Sequence, residues 1–273
     1  MIQIDRRHFI ASLGGAATVK LMSSEAKAEA LEAYMMQQLN GTTSVPSKNF
    51  PKAQEIEAQI ETRSYRRGVG NLFLNTAPDG KVKKLASIPA KPAFLDFFKL
   101  RMEQTSNHVL QSANRAMKTG MSEEIILACL LHDTVHALIK TDHGYWGAQL
   151  YAPYVPEKVS FAIRYHQALR FYEDKEAGYE YPDLYRNLFG EDYVPLPHIQ
   201  ADYKMLKAHK WYMEPRLVTV NDLYAFEPGV VVTLDPFIDI IGRHFKNPKE
   251  GLGNDGSPVA HMWRAIAMPD NPL

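Results

Sequence analysis

The chain has 273 residues with 31 basic and 31 acidic side chains, so its formal net charge is zero. That balance gives no electrostatic case for nucleic acid or an anionic membrane surface, and 45% hydrophobic and 11% aromatic residues exclude a disordered chain. The single cysteine, Cys129, cannot form an intramolecular disulfide and reads as a small core residue of "EEIILACLLHD".

At the N-terminus, Arg6 and Arg7 precede an apolar or small-residue stretch from Phe9 to Val19, and Ala26-Lys27-Ala28 offers an A-x-A cleavage site. This segment resembles a twin-arginine signal peptide. The resemblance implies partnership with the twin-arginine export machinery and a periplasmic or extracellular location. Eleven apolar or small residues are too few to span a bilayer, so no stable membrane insertion is expected. The twin-arginine route carries folded proteins, often with a cofactor inside, and a chain without disulfides fits folding in the cytoplasm.

Residues 29–40 have a helical pattern, and "NGTTSVPSKNFP" at 40–51 is a linker by its Gly, Pro, Ser and Thr content. "AQEIEAQIETRSYRR" is a short amphipathic helix, followed by a loop with Pro78-Asp79-Gly80 as its turn. From Pro92 to about Phe171 the helical period dominates. The first segment runs from Pro92 to Gly120, and the next starts with Ser122 as N-cap and two glutamates in its first turn. Pro153 and Pro156 divide the two segments after that. Downstream, Asp235 and Pro236 stand where an N-cap and a first helical residue belong. The last 23 residues, rich in Gly, Asn and Pro, read as an irregular tail. The organisation expected is a leader over 1–28, an N-terminal extension and linker over 29–91, a helical core over 92–245 and a tail over 246–273. The class is mainly α.

Within the apolar run "LLHDTVHAL", His132 and Asp133 are adjacent and His136 follows four places after His132. A buried charge without a partner costs several kcal/mol or more, of order that magnitude even after relaxation, so the run calls for a metal or for protein partners. In a helix His132 and Asp133 would point about 100° apart, and His132 and His136 would share a face. Other candidates surround them: His108 lies 24 residues before His132, His143 lies 11 after it, and His166 lies 23 further on. Asp222, in "PRLVTVNDLYAF", is a distant acid. Four imidazoles and two carboxylates form a nitrogen and oxygen donor set suited to Fe, Mn, Co, Ni or Zn and not to an iron–sulfur cluster.

The order His … His-Asp … Asp on successive helices resembles the HD-domain superfamily, and two further histidines between the His-Asp pair and the last Asp resemble its two-metal members. "ACLLHD", "DHGYWGAQL" and "VSFAIRYHQALRFY" are most similar to the mixed-valent diiron oxygenases of that superfamily, the phosphonate-cleaving enzymes and myo-inositol oxygenase. The resemblance covers about Asn107 to Asp222 and implies an HD-domain helical bundle with irregular N- and C-terminal extensions. It implies that His108, His132, Asp133 and Asp222 hold one ion and that His143 and His166 hold a second, with Asp133 bridging. Iron is the metal implied first, with Mn, Co, Ni or Zn as alternatives. His136 stands where a substrate-facing residue is common, and the Arg170 fork suits an anionic substrate group. Val135 replaces a usual glycine, and Leu169 replaces a substrate-site lysine, which speaks against a phosphonate. "DFFKLRMEQTSNH" lacks the Tyr and Glu that precede the first histidine in the phosphonate enzymes.

The activity implied is oxidation of a small oxygenated or anionic substrate with O2. A metal-dependent phosphohydrolase and a non-catalytic metal-binding bundle are the alternatives, because the donor set alone does not choose between them. "GLGNDG" satisfies G-x-G-x-x-G but has no strand before it, so it is not read as a dinucleotide site. No P-loop, H-E-x-x-H or G-x-S-x-G is present.

Overall fold

A computed structural model describes residues 24–39, 85–139, 142–190 and 193–268. The twin-arginine stretch, the linker and the helix expected over 53–67 lie outside the described residues. Among those described there are eleven α-helices and two 3-10 turns, and no strand. No helix among them is long and apolar enough to cross a membrane. They form two compact units, 24–39 with 102–246 and 85–101 with 247–268.

The first unit is a helical bundle. Helix α1 (Ser24–Leu39) begins it, and the boundary expected at residue 28 falls inside this helix. Its buried stripe is Ala28, Leu31, Glu32, Met35 and Met36, the spacing of one helical face. The second unit opens the described core sequence with α2 (Phe94–Arg101), and α3 (Glu103–Lys118) returns to the first. The segment expected as one helix from Pro92 is thus two, with Met102 between them. Helix α4 (Glu123–Leu131) is buried from Ile125 to Leu131 without a polar face, as "IILACLL" dictates. It packs against α3 and against α6 (Glu157–Leu169). The expected cap is present: Ser122 Oγ accepts the Ile125 N–H at 3.4 Å.

Helix α5 (His143–Tyr151) lies along α6, and α9 (Met213–Leu223) closes the other side of α6. Two shorter helices, α7 (Asp183–Phe189) and α8 (Pro197–Lys207), come between α6 and α9 in the chain. Asp235 does not cap a helix. Residues Asp235–Phe237 form a 3-10 turn, and α10 (Ile238–His244) starts only after it, because Pro236 and the turn geometry delay the helical hydrogen bonds.

In the second unit the C-terminal segment is not wholly irregular. It carries α11 (Ala260–Ala267), whose fully buried Trp263 meets Phe97 with ring centroids 4.6 Å apart. The glycines of "GLGNDG" have a packing explanation here. Gly251 has φ +92°, and a Cβ would lie 2.6 Å from the Lys91 backbone, while Leu252 N–H donates to Pro92 O at 2.8 Å.

Candidate metal centre

Five helices deliver the predicted donors to one place in the first unit. His108 comes from α3, His132 from the end of α4, His166 from the last turn of α6, and Asp222 from the last turn of α9. His143 is the first residue of α5, just after Asp142, whose left-handed backbone (φ 54°) turns the chain into that helix. All four histidines and Asp133 are buried, and the Asp222 side chain is 16% exposed.

Helix α4 stops at Leu131, one residue before the His-Asp pair. Thr134 Oγ donates to Leu131 O at 2.7 Å, and the chain tightens into a 3-10 turn over Thr134–Ala137. Helical spacing therefore does not apply beyond His132. His136 does not share a face with His132; its ring lies edge-on to His143, with centroids 4.8 Å apart, and it groups with His143 and Glu32.

The His108 and His132 Nε2 atoms are 3.3 Å apart. His108 Nε2 is 3.2 Å from Asp222 Oδ1 and 3.5 Å from Asp133 Oδ2. Asp133 Oδ1 lies 3.4 Å from His132, 2.9 Å from His143 and 3.4 Å from His166, each at Nε2. Ligands about 2.1 Å from one ion are separated from each other by about 3 to 3.5 Å, so these spacings fit metal coordination. The donors form two overlapping groups about Asp133: His108, His132, Asp133 and Asp222, and Asp133, His143 and His166.

Protein contacts behind the rings support this fit. His108 Nδ1 lies 3.2 Å from Ala225 O, His132 Nδ1 2.8 Å from Cys129 O, and His166 Nδ1 2.6 Å from Ile163 O. A carbonyl only accepts, so each Nδ1 carries a proton, and in the neutral ring each Nε2 turns a lone pair to the centre. Neither oxygen of the buried Asp133 accepts a hydrogen bond of ordinary geometry. A carboxylate so placed is costly to desolvate unless cations or charged rings offset it. Burial works against the Asp133 charge, yet the rings of His132 and His143 and the contacts from His108 hold its carboxyl well below the usual range. Burial likewise lowers His108, but the Asp133 and Asp222 carboxylates outweigh it and raise that ring to about 10. Burial lowers His166.

Close packing of α5 on α6 makes the convergence possible. A Cβ on Gly144 would lie 2.7 Å from Gln167 Oε1 and 2.9 Å from Ile163 O. Only glycine at 144 lets His143 and His166 meet across that interface.

Glu32 is the site residue that the sequence reading did not pick out. It stands within the buried stripe of α1 and belongs to a donor group with His136 and His143. Its Oε2 accepts Arg170 Nη1 at 3.2 Å. Burial, and then Asp133, push Glu32 above the usual carboxylate range, with Arg170 acting in the opposite direction. An acid inside an apolar helical stripe was the available signal, masked by its position far before the His-Asp pair. Arg170 is buried and is held by Glu32 and by Gln167 O, which its Nε reaches at 3.2 Å. With that guanidinium against Glu32, the Glu32–His136–His143 group is a poor place for a further cation.

A cavity of about 280 Å3 adjoins this region, lined by Asp142, Tyr145, Arg164, Gln167, Arg170 and His198 among others. Tyr145 is 42% exposed and lies beneath the Arg164 guanidinium, whereas Tyr151 and Tyr154 are buried and pack on Phe245.

Residues 105–196 match the family model of the HD domain. HD domains are typically metal-dependent enzymes, often hydrolases. The matched segment holds His108, His132, Asp133, His136, His143, His166 and Arg170; Asp222 lies beyond it, and Glu32 before it. No curated protein matches the chain.

Proposed function

We propose that the HD domain holds two metal ions and acts as a diiron oxygenase on a small oxygenated or anionic organic substrate. The observation that carries the dinuclear reading is the buried Asp133 carboxylate, faced by four imidazole nitrogens and satisfied by no ordinary hydrogen bond. His108, His132, Asp133 and Asp222 would hold one ion, and His143 and His166 the other, with Asp133 shared. When bound, a redox-active pair such as iron would supply the activation of O2 for oxidation of a substrate carbon.

The chain's own groups favour oxidation over phosphate chemistry. A multiply charged phosphate ester would find little uncommitted positive charge beside His136 and His143, because the guanidinium of Arg170 is already held by the buried Glu32. Arg170 neutralises Glu32 and lines the adjoining cavity, so it can hand one guanidinium face to a single anionic group of a small substrate. His136, beside His143, would hydrogen-bond a substrate oxygen at the second ion's side. The enclosed cluster keeps bulk water from the reacting centre. Export by the twin-arginine route is part of the same proposal.

The test is electron paramagnetic resonance after mild reduction. A coupled mixed-valence diiron signal is expected. Its absence, together with Mn-dependent release of phosphate from a phosphate ester, would move the assignment to a phosphohydrolase. His136→Ala should retain metal and lose turnover; full activity in that variant removes His136 from the substrate site.

A further inference from the structure

The four histidines are not held alike. Three set Nδ1 against a main-chain carbonyl, which fixes the proton there. His143 instead sets Nδ1 3.4 Å from Gln167 Nε2. The polarity of that amide is fixed from its other end, because Gly144 N–H donates to Gln167 Oε1 at 2.7 Å. An N–H can only donate, so Oε1 faces Gly144 and the NH2 group faces His143. Nδ1 of His143 is then the acceptor. A neutral ring then carries its one proton on Nε2, which lies 2.9 Å from Asp133 Oδ1, the shortest of the histidine contacts to this carboxylate but without the geometry of an ordinary hydrogen bond.

From this difference we infer that Gln167 is a positioning residue that holds His143 in the wrong tautomer for Nε2 ligation and makes the two metal positions unequal. The inference rests on the dinuclear reading above. A metal at Nε2 needs that nitrogen's lone pair, so one proton must move to Nδ1 or leave. A proton on Nδ1 would face the Gln167 NH2 group, donor against donor. Turning the amide over relieves that clash but sets NH2 against the Gly144 N–H. Loading the position of His143 and His166 therefore opposes one hydrogen bond that loading the position of His108, His132 and Asp222 does not. Partners behind metal-bound histidines commonly change affinity by about 10- to 100-fold.

Zinc titration of the chelator-treated full chain tests this, using Gln167→Glu. A carboxylate can accept from both Gly144 N–H and His143 Nδ1–H. Wild type should bind zinc in two steps, the second weaker. The variant should tighten the second step at least about tenfold and leave the first within about threefold. Equal steps in wild type, an unchanged second step, or an equal shift of both steps in the variant would overturn the inference. Long-range 1H–15N spectra of 15N-histidine-labelled, zinc-free protein give a second readout that does not depend on the variant folding. The His143 proton is expected on Nε2, with Nδ1 protonated in His132 and His166; a proton on His143 Nδ1 overturns the inference. If wild type binds no zinc, the dinuclear reading fails while the spectrum still decides the role of Gln167.

Discussion

At the surface of the first unit, Glu123 of α4 meets Arg243 Nη2 at 2.6 Å and His244 Nε2 at 2.8 Å, both from α10. In the interior, ten residues along the chain, Asp133 meets four histidines and no arginine. The residue types are nearly the same, a carboxylate with imidazoles, but the surroundings reverse what they do. Around Glu123 the Arg243 cation completes the pair and water screens the remainder, so the cluster needs nothing more. Around Asp133 three of the four rings lean on main-chain carbonyls and can point lone pairs inward, and the nearby Arg170 guanidinium is held by Glu32. Charge there closes only with extra protons on the rings or with cations. A carboxylate–histidine cluster signals a metal when it is buried and its histidines are tied from behind.

Four substitutions probe that contrast, in decreasing order of effect. Asp133→Ala removes the shared ligand and should empty both positions, read as metal content near zero in protein that remains helical by circular dichroism. Glu32→Ala leaves the Arg170 guanidinium buried without its partner and should cost about 3–5 kcal/mol in urea unfolding; the isosteric Glu32→Gln should cost less. Gly144→Ala drives a methyl group into Gln167 and the α6 backbone and should cost about 1–3 kcal/mol, with the second metal lost before the first. Glu123→Gln should leave metal content unchanged and lower thermal stability at pH 7 slightly. Hydrogen bonds from Arg243 and His244 hold Glu123 down at about 2, from an ordinary 4.5. A depressed carboxyl contributes stability above its unfolded value and loses it as pH falls, so the difference between wild type and Glu123→Gln should vanish between pH 4.5 and about 2.

Much of the centre was legible in the sequence because metal chemistry constrains residue type and order. His108, His132, Asp133, His143, His166 and Asp222 were readable as a set, and the structure brings all six together. Ser122 was readable as a cap because its function is local. What escaped depended on backbone detail or on distance in the chain. The placement of His136 required knowing that α4 ends at Leu131, which follows from Thr134 bonding back to Leu131 O. Glu32 lies 76 residues before His108, and only the burial of its stripe on α1 connects it to the site. Helix α11 was hidden because its glycine-rich approach reads as loop, while its order comes from Trp263 against Phe97.

The central claim is that the buried Asp133 cluster is a two-ion centre. Elemental analysis of the purified full-length chain beside Asp133→Ala tests it most directly. Two transition-metal ions per wild-type chain and none in the variant are predicted. A folded wild-type chain with less than one ion, unable to take up more when metal is supplied, would contradict it.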